Sequence, residues 1–371
     1  MIGASVAHHL LERAPGLRVV LLEKEAALGT GATSKATGGV RHQFSTEANV
    51  RLTLLSYPYF TRAHEVLGRS VDFVRHGYLF VTTSPFTLAE SARAVALQRA
   101  LGVQSEMVGG SELRRLLPAL SSDDLVGGSF CDDDGSADPY GLLQAFVSLA
   151  RQRGLDVRTG APVMAIATSA GRVTGVRTPQ GEIAAPVVVN CAGPHADEVG
   201  RLADIDVPSR PHRRQVLVCE RVNGLPDVFP LTVDLDSGWY VHGQTSAVLM
   251  GGTDKDQHPG HDTAVDWSAF SLVFDAAARR VPLLADARVM RAYAGVRDLT
   301  PDYHGILGQA PGLTGFHFAC GFSGHGFMHS PAIGRLTTEL ILDGRVTSMD
   351  VAALEPGRFA RGHVRVESNI F

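Results

Sequence analysis

Apolar positions at the start of the chain recur first at helical spacing and then in a short solid run. Val6, Ala7, Leu10 and Leu11 mark one face of a helix over Ala4 to Arg13; Pro15 and Gly16 end it, and Arg18 to Leu22 reads as a buried strand. Helix followed by buried strand is the back half of a βαβ unit. A second helix is predicted from Ser45, which can cap it, through Val50, Leu52, Leu54 and Leu55, with Pro58 disturbing its course. From Val71 to about Asp134, short strands such as Tyr78 to Thr83 alternate with polar helices, the pattern of a separate lobe. Pro139 to Arg153 is an amphipathic helix with Leu142, Leu143, Phe146 and Leu149 on one face. It leads into β segments at Val163 to Thr168, Arg172 to Thr178, Glu182 to Ala185 and Val187 to Cys191. Between Arg213 and Thr253, strand-length apolar stretches separated by Gly and Pro predict an antiparallel sheet, the second lobe resumed. Arg297 to Leu342 returns to glycine-rich loop followed by helix, and the tail after Arg345 carries no pattern.

Composition narrows the class. The 371 residues, 44% of them hydrophobic, suffice for two lobes that each bury a core. A net charge of −4 with interspersed signs provides no basic stripe to neutralise a phosphate backbone, so nucleic acid is not an expected partner. Apolar runs such as Pro186 to Ala192 are far shorter than the about 20 residues a spanning helix needs, so no transmembrane segment is expected, nor a secretory leader. Cys131, Cys191, Cys219 and Cys320 lie far apart without a C-x-x-C pair. That argues against a metal site or a disulfide framework and for a reducing, cytoplasmic compartment.

The glycines carry the chemistry. A dinucleotide fold needs them between its first strand and helix, where the backbone turns sharply and the pyrophosphate meets the helix N-terminus. Gly3 is what remains of that set, with Met1 and Ile2 at the two variable positions before it, so the chain is expected to lack the first strand. Glu23 follows about 20 residues on, where an acid binds ribose hydroxyls. Taken alone, the same pair fits an ordinary helix start and a surface carboxylate. The stretch from Gly29 to Arg41, too small and hydroxyl-rich for core, is either a flexible loop or backbone passing close to a flat ring, with hydroxyls for phosphates. A second glycine-rich run, Ala319 to Met328, precedes helical spacing over Pro331 to Leu342. A glycine-lined loop at a helix N-terminus stabilises partial negative charge, as on the pyrimidine edge of a reduced flavin.

Leu21-Leu22-Glu23-Lys24, Ala32-Thr33-Ser34 to Arg41, Asp134 to Pro139, Val188 to Pro194, Ala294 to Asp302 and Gly321 to Phe327 together resemble the FAD-dependent family that contains D-amino-acid oxidase, glycine oxidase and sarcosine oxidase. The likeness covers nearly the whole chain. It implies an α/β fold, α+β in the second lobe: a discontinuous Rossmann-like FAD domain lacking its first strand (1–70, 140–205 and 295–345), an interleaved antiparallel-sheet substrate domain (71–139 and 206–294), and a tail (346–371). It implies noncovalent FAD held by Gly3, Glu23, Lys24, Thr33, Ser34, Gly38, Gly39, Val163, Ala192, Gly193, Gly324, His325, Gly326 and Phe327. Val163 would act through its backbone against adenine, and His325 would contact the ring.

For chemistry, the resemblance sets Arg297 against a substrate carboxylate, which a planar guanidinium binds through both oxygens; the plain alternative is a surface ion pair. Arg41 either touches substrate or flavin or holds structure. Tyr240 and His242, on a strand of the second lobe, line the pocket or form a surface pair. The family's covalent-flavin cysteine falls at Gly295, and His42 is an alternative point of attachment. Met328 stands where some sarcosine oxidases carry an oxygen-activating lysine, which favours a dehydrogenase. The expected activity is oxidation of the C–N bond of a small amino acid or N-alkyl amino acid such as sarcosine, dimethylglycine, proline or a D-amino acid. Alternatives are a flavin subunit passing electrons to a partner protein, and a truncated flavoprotein with impaired cofactor binding.

Overall fold

The computed structural model describes residues 1–244, 246–252, 258–362 and 364–370; Thr253, the last residue of the predicted antiparallel stretch, lies outside them. The first helix, Ile2–Arg13, and the strand Val20–Leu22 form as the apolar spacing predicts. The helix buries Val6, Ala7, Leu10 and Leu11 against the helices Pro139–Gln152 and Gly326–Asp343. Gly334 permits the second crossing: a Cβ there would sit 2.6 Å from His9 Nδ1. Asp138 caps Pro139–Gln152 by accepting from the N–H groups of Tyr140 and Gly141, both at 2.9 Å.

Two elements depart from the pattern. The last helix begins at Gly326, five residues before Pro331, which sits inside it. A proline within a helix removes a donor, and here hydroxyls repair the ladder. Ser330 Oγ donates to Phe327 O at 2.9 Å, Ser5 Oγ donates to Ser330 O at 2.7 Å, and Ser56 Oγ accepts from Ala332 N at 3.1 Å. The second helix is Glu47–Ser56 with Thr46 at its cap position, so Ser45 is not the cap. Its first donors turn instead to a carboxylate from the tail. Glu367 accepts from Ser45 N (2.7 Å), Ser45 Oγ (2.6 Å), Thr46 N (3.2 Å), Thr46 Oγ1 (2.7 Å) and Asn49 Nδ2 (3.1 Å).

Among the described residues, parallel pairing joins Val20–Leu22 to Asp156–Arg158, and separately Val188–Asn190 to Phe316–Cys320. The parallel sheet is therefore in two parts. They approach one another around Gly3, whose Cβ position would be 3.0 Å from Leu21 Cδ1 and 3.5 Å from Cys191 Cβ. A second layer is an eight-stranded sheet in the order Val289–Leu299, Arg210–Glu220, Ala247–Gly251, Tyr240–Gln244, Leu231–Asp234, Tyr78–Thr82, Gly127–Cys131, Ser105–Val108. Its neighbours are antiparallel except Leu231–Asp234 against Tyr78–Thr82, the seam where two separate stretches of chain meet. A parallel pair needs a long crossover, and the intervening cofactor-lobe chain supplies it. Trp239, Val241, Met250, Leu79 and Leu217 pack one face of this sheet against Phe270, Val273 and Ala277 of the helix Phe270–Arg280. Strand Val289–Leu299 runs through position 295, where the two lobes were expected to divide, and carries Arg297 on the sheet.

Candidate active site

A cleft of about 2020 Å³ runs from the gap between the two parallel sheets to the edge of the large sheet. A drug-sized ligand occupies roughly 300–1,000 Å³. This cleft has room for a dinucleotide. The first helix brings Ile2 and Gly3 to it, and Glu23 and Lys24 enter from the end of the following strand. Thr33, Gly38 and Gly39 line it from the first glycine-rich loop, Val163, Ala192 and Gly193 from the middle of the chain, and Gly324, His325, Gly326 and Phe327 from the second. Tyr240, Arg297 and Arg41 complete the far end. Ser34 does not line the cleft; its exposed hydroxyl donates to the backbone of its own loop, to Thr30 O and Gly31 O at 3.3 and 3.2 Å.

Glycine is required where backbone is bared to this cleft. A Cβ on Gly39 would collide with the Tyr78 hydroxyl. Gly324 has φ +92°, and a Cβ there would meet Arg297 Cδ and Nε at 3.0 Å. Gly39, Gly324 and Arg297, remote in sequence, thus share one cavity. Helices of 12 and 18 residues open onto it at their N-termini, with the partial positive charge that suits a pyrophosphate and an electron-rich ring edge. The donors, the bare backbone and the cavity size fit FAD.

At the far end the charges are controlled by burial. Desolvation lowers the pKa of Arg297, and the phenols of Tyr240 and Tyr78 partly restore it. Burial raises both of those tyrosines, which stay neutral. Arg41 is buried, its pKa pushed down to about 10 by desolvation. Its guanidinium donates to Gln43 O, donates to Asn369 O at 2.6 Å, lies 3.3 Å from His325 Nε2 and covers the Phe44 ring at 3.9 Å. Desolvation, with Arg41 nearby, also holds His325 well below 6.5, so its ring is neutral. His242 does not reach the cleft; it packs 5.2 Å from His76, and burial lowers it to about 3.

Of the two candidates for covalent flavin attachment, Gly295 lines the cleft and His42 does not. Gly295 has no room for a side chain, its Cβ position being 2.6 Å from Lys35 Cβ. His42 is buried off the cleft, with Nδ1 2.8 Å from Asp134 Oδ1. Met328 packs into the core with Phe327 and Phe60.

The sequence reading missed four supports of this site. Asp298 receives the N–H groups of Gly321 (2.8 Å) and Phe322 (3.3 Å), so the residue after Arg297 fixes the start of the second glycine loop. Asp302 pairs with Arg358 through both oxygens, at 2.8 and 3.0 Å. Glu367 anchors the second helix as described, and Asn369 reaches Arg41 and Gln43. Asp298 and Asp302 stand in a motif already singled out, one near the end of the strand and one in the turn after it, and their acid character was the available signal. Glu367 and Asn369 sit in a polar tail that offers none.

An acid after a parallel strand, glycine-bared backbone at two helix starts and a desolvated arginine among phenols define a flavin-type redox cleft. The chain belongs to the DAO family: the family model described as FAD dependent oxidoreductase matches residues 1–340. It is similar to human mitochondrial sarcosine dehydrogenase, 30% identical over 361 residues, which is 93% of this chain and 39% of that protein. The chain thus spans well under half of that relative's length. The Xenopus laevis FAD-dependent oxidoreductase domain-containing protein 1 is 28% identical, with all of this chain and 83% of that protein covered. Among solved structures, L-proline dehydrogenase from P. horikoshii matches with a TM-score of 0.91 at 28% identity, covering 98% of this chain and 96% of that one. Among the described residues no helix is long and apolar enough to cross a membrane.

Proposed function

We propose that this chain oxidises the C–N bond of a small amino acid or N-alkyl amino acid with noncovalently held FAD. The observation that carries the reading is Arg297: a desolvated guanidinium between two neutral phenols, in the same cleft as the glycine-bared loops. The relatives named for sarcosine and proline oxidation point to the same substrate class.

When bound, FAD supplies the hydride acceptor. Everything else falls to the protein. Arg297 clamps the substrate carboxylate through its planar fork, which fixes the carbon next to nitrogen relative to the ring. Tyr240 and Tyr78, neutral, turn phenol oxygens to the guanidinium as acceptors, which keeps the arginine oriented and charged. Gly39 and Gly324 let the backbone approach a flat ring, and the N-terminus of Gly326–Asp343 favours negative charge on it. Glu23 takes ribose hydroxyls, Lys24 and Thr33 face the phosphates, and Val163 contacts adenine through its backbone. His325, neutral, is a contact rather than a base, and no acid or base residue is needed when the amine binds neutral. Water hydrolyses the released imine to an aldehyde or keto acid plus amine.

In this reading the segments 71–139 and 206–294 shape the substrate side and the remainder holds the cofactor, in a reducing compartment such as the cytoplasm. Met328, apolar and packed, favours electron transfer to a protein acceptor over direct oxygen use. The test is anaerobic mixing of the FAD-loaded chain with sarcosine, proline, dimethylglycine and D-amino acids. Flavin bleaching by one of them, without peroxide when air is admitted, supports the proposal; no bleaching by any counts against it.

A further inference from the structure

In the lining of the same cleft, three side chains meet that the proposed reaction does not use. His195 closes the turn Gly193–His195, Glu198 lies in the helix Ala196–Arg201, and His261 comes from a segment following Gly260. His195 Nδ1 is 3.1 Å from Glu198 Oε2, and His261 Nε2 is 2.9 Å from Glu198 Oε1. The two imidazoles are stacked, with centroids 4.2 Å apart and planes at 1°. One donor atom from each of the three lies within 4.8 Å of the other two.

We propose that His195, Glu198 and His261 bind a divalent transition ion of the zinc class, with water completing the coordination. Two neutral imidazoles and a carboxylate are a known donor set for zinc, and nitrogen donors disfavour calcium and magnesium. Donor atoms around a tetrahedral zinc lie about 3.4 Å apart, given bond lengths near 2.1 Å. Two of the separations are already close to that. Convergence on one ion requires at least one ring to turn out of the parallel stack, which the exposure of the three side chains, 29%, 50% and 38%, allows.

The backbone around His261 is held on both sides. Gly260 N donates to Pro211 O at 2.8 Å, and Asp262 accepts from Arg213 Nη1 at 2.9 Å and from Ala264 N at 2.8 Å. An ion would clip this segment, which comes from the stretch between strands of the large sheet, to the helix that follows the buried strand Val188–Asn190. Lys24 opposes an ion by its charge: Nζ lies 3.0 Å from His195 Nε2, the ring nitrogen turned away from Glu198.

The experiment titrates ZnCl2, and separately CoCl2, into the FAD-supplemented full chain after chelator treatment. The site predicts one zinc per chain, a visible cobalt spectrum of low symmetry, and no competition by excess Mg2+. His195→Ala, His261→Ala and Glu198→Gln each weaken zinc binding by about tenfold or more, whereas Lys24→Met tightens it. His258→Ala, an exposed histidine three residues before His261 and outside the donor set, leaves binding unchanged and guards against general loss of surface histidine. Absence of stoichiometric zinc, or zinc uptake indifferent to the three substitutions, overturns the proposal and leaves the cluster a hydrogen-bonded surface chain. Because both readouts are metal binding, their failure is independent of any failure to oxidise amino acids.

Discussion

Replacing Arg297 by methionine isolates the proposed carboxylate clamp. The guanidinium sits where desolvation already disfavours its charge, so a bound carboxylate meets a poorly screened partner. Hydrogen bonds to charged groups contribute about 1.5–3 kcal/mol each, and truncating one partner of a buried charge pair costs about 2–5 kcal/mol. Taking about 3 kcal/mol, kcat/KM for an amino-acid substrate falls on the order of 150-fold, at about 1.4 kcal/mol per tenfold. Arg297→Lys keeps a cation but loses the fork, and a loss of about 1–2 kcal/mol follows, on the order of 5- to 30-fold. The assay is anaerobic flavin reduction with a substrate and with its carboxylate-free amine analogue, at matched FAD occupancy. The amine analogue loses little in either variant. Because Arg297 also packs against Gly324, the FAD absorbance of each variant is recorded first. Equal losses for acid and amine, or no loss for the acid, refute the clamp.

Gly39→Val drives a side chain into the Tyr78 hydroxyl, and the protein is expected to be purified with its FAD content cut severalfold, measured by flavin absorbance after denaturation. Glu367→Gln takes the charge from a group that accepts six hydrogen bonds, and about 2–4 kcal/mol of stability is lost in urea unfolding. Glu339 is held down to about 2 from 4.5: burial works to raise it, but Ser348, Thr347 and Arg335 outweigh this. Its ionised form therefore stabilises the fold above about pH 4.5, and the contribution, about 3 kcal/mol at most, disappears as pH falls through 2; Glu339→Gln removes that acid-side slope. Asp298 runs the other way, raised from 3.8 to about 6 by burial against the pull of backbone donors. The folded state holds its proton more tightly, so that contribution is complete below pH 3.8 and lost as pH rises through 6, a slope that Asp298→Asn abolishes in pH-dependent unfolding.

Where the sequence was legible, one physical rule applied over several residues at once. Val6, Ala7, Leu10 and Leu11 specify the first helix because a period of 3.6 leaves only one face to bury, and Asp138 ahead of Pro139 marks a helix start by its cap. The glycine strips were readable as backbone that must come close to something. Harder were the places where a distant partner replaces a local signal. Ser45 looks like a cap, but Glu367, over 300 residues away, takes its N–H and hydroxyl. Pro331 looks like a helix start, but Ser5, Ser56 and Ser330 make a proline tolerable within the helix. Arg41 and His242 illustrate the same limit at the site. Residue type suggests chemistry for both, whereas a partner that occupies Arg41 comes from the tail, and His76, which packs on His242, comes from the connection before Tyr78–Thr82.

The most direct measurement is a crystal structure of the chain with FAD and a non-oxidisable small carboxylic acid. The account predicts isoalloxazine density between Gly39 and the Gly324–Phe327 loop, with the carboxylate in a two-pronged contact with Arg297. A flavin seated elsewhere, or an acid bound away from Arg297 with the cleft filled, contradicts it.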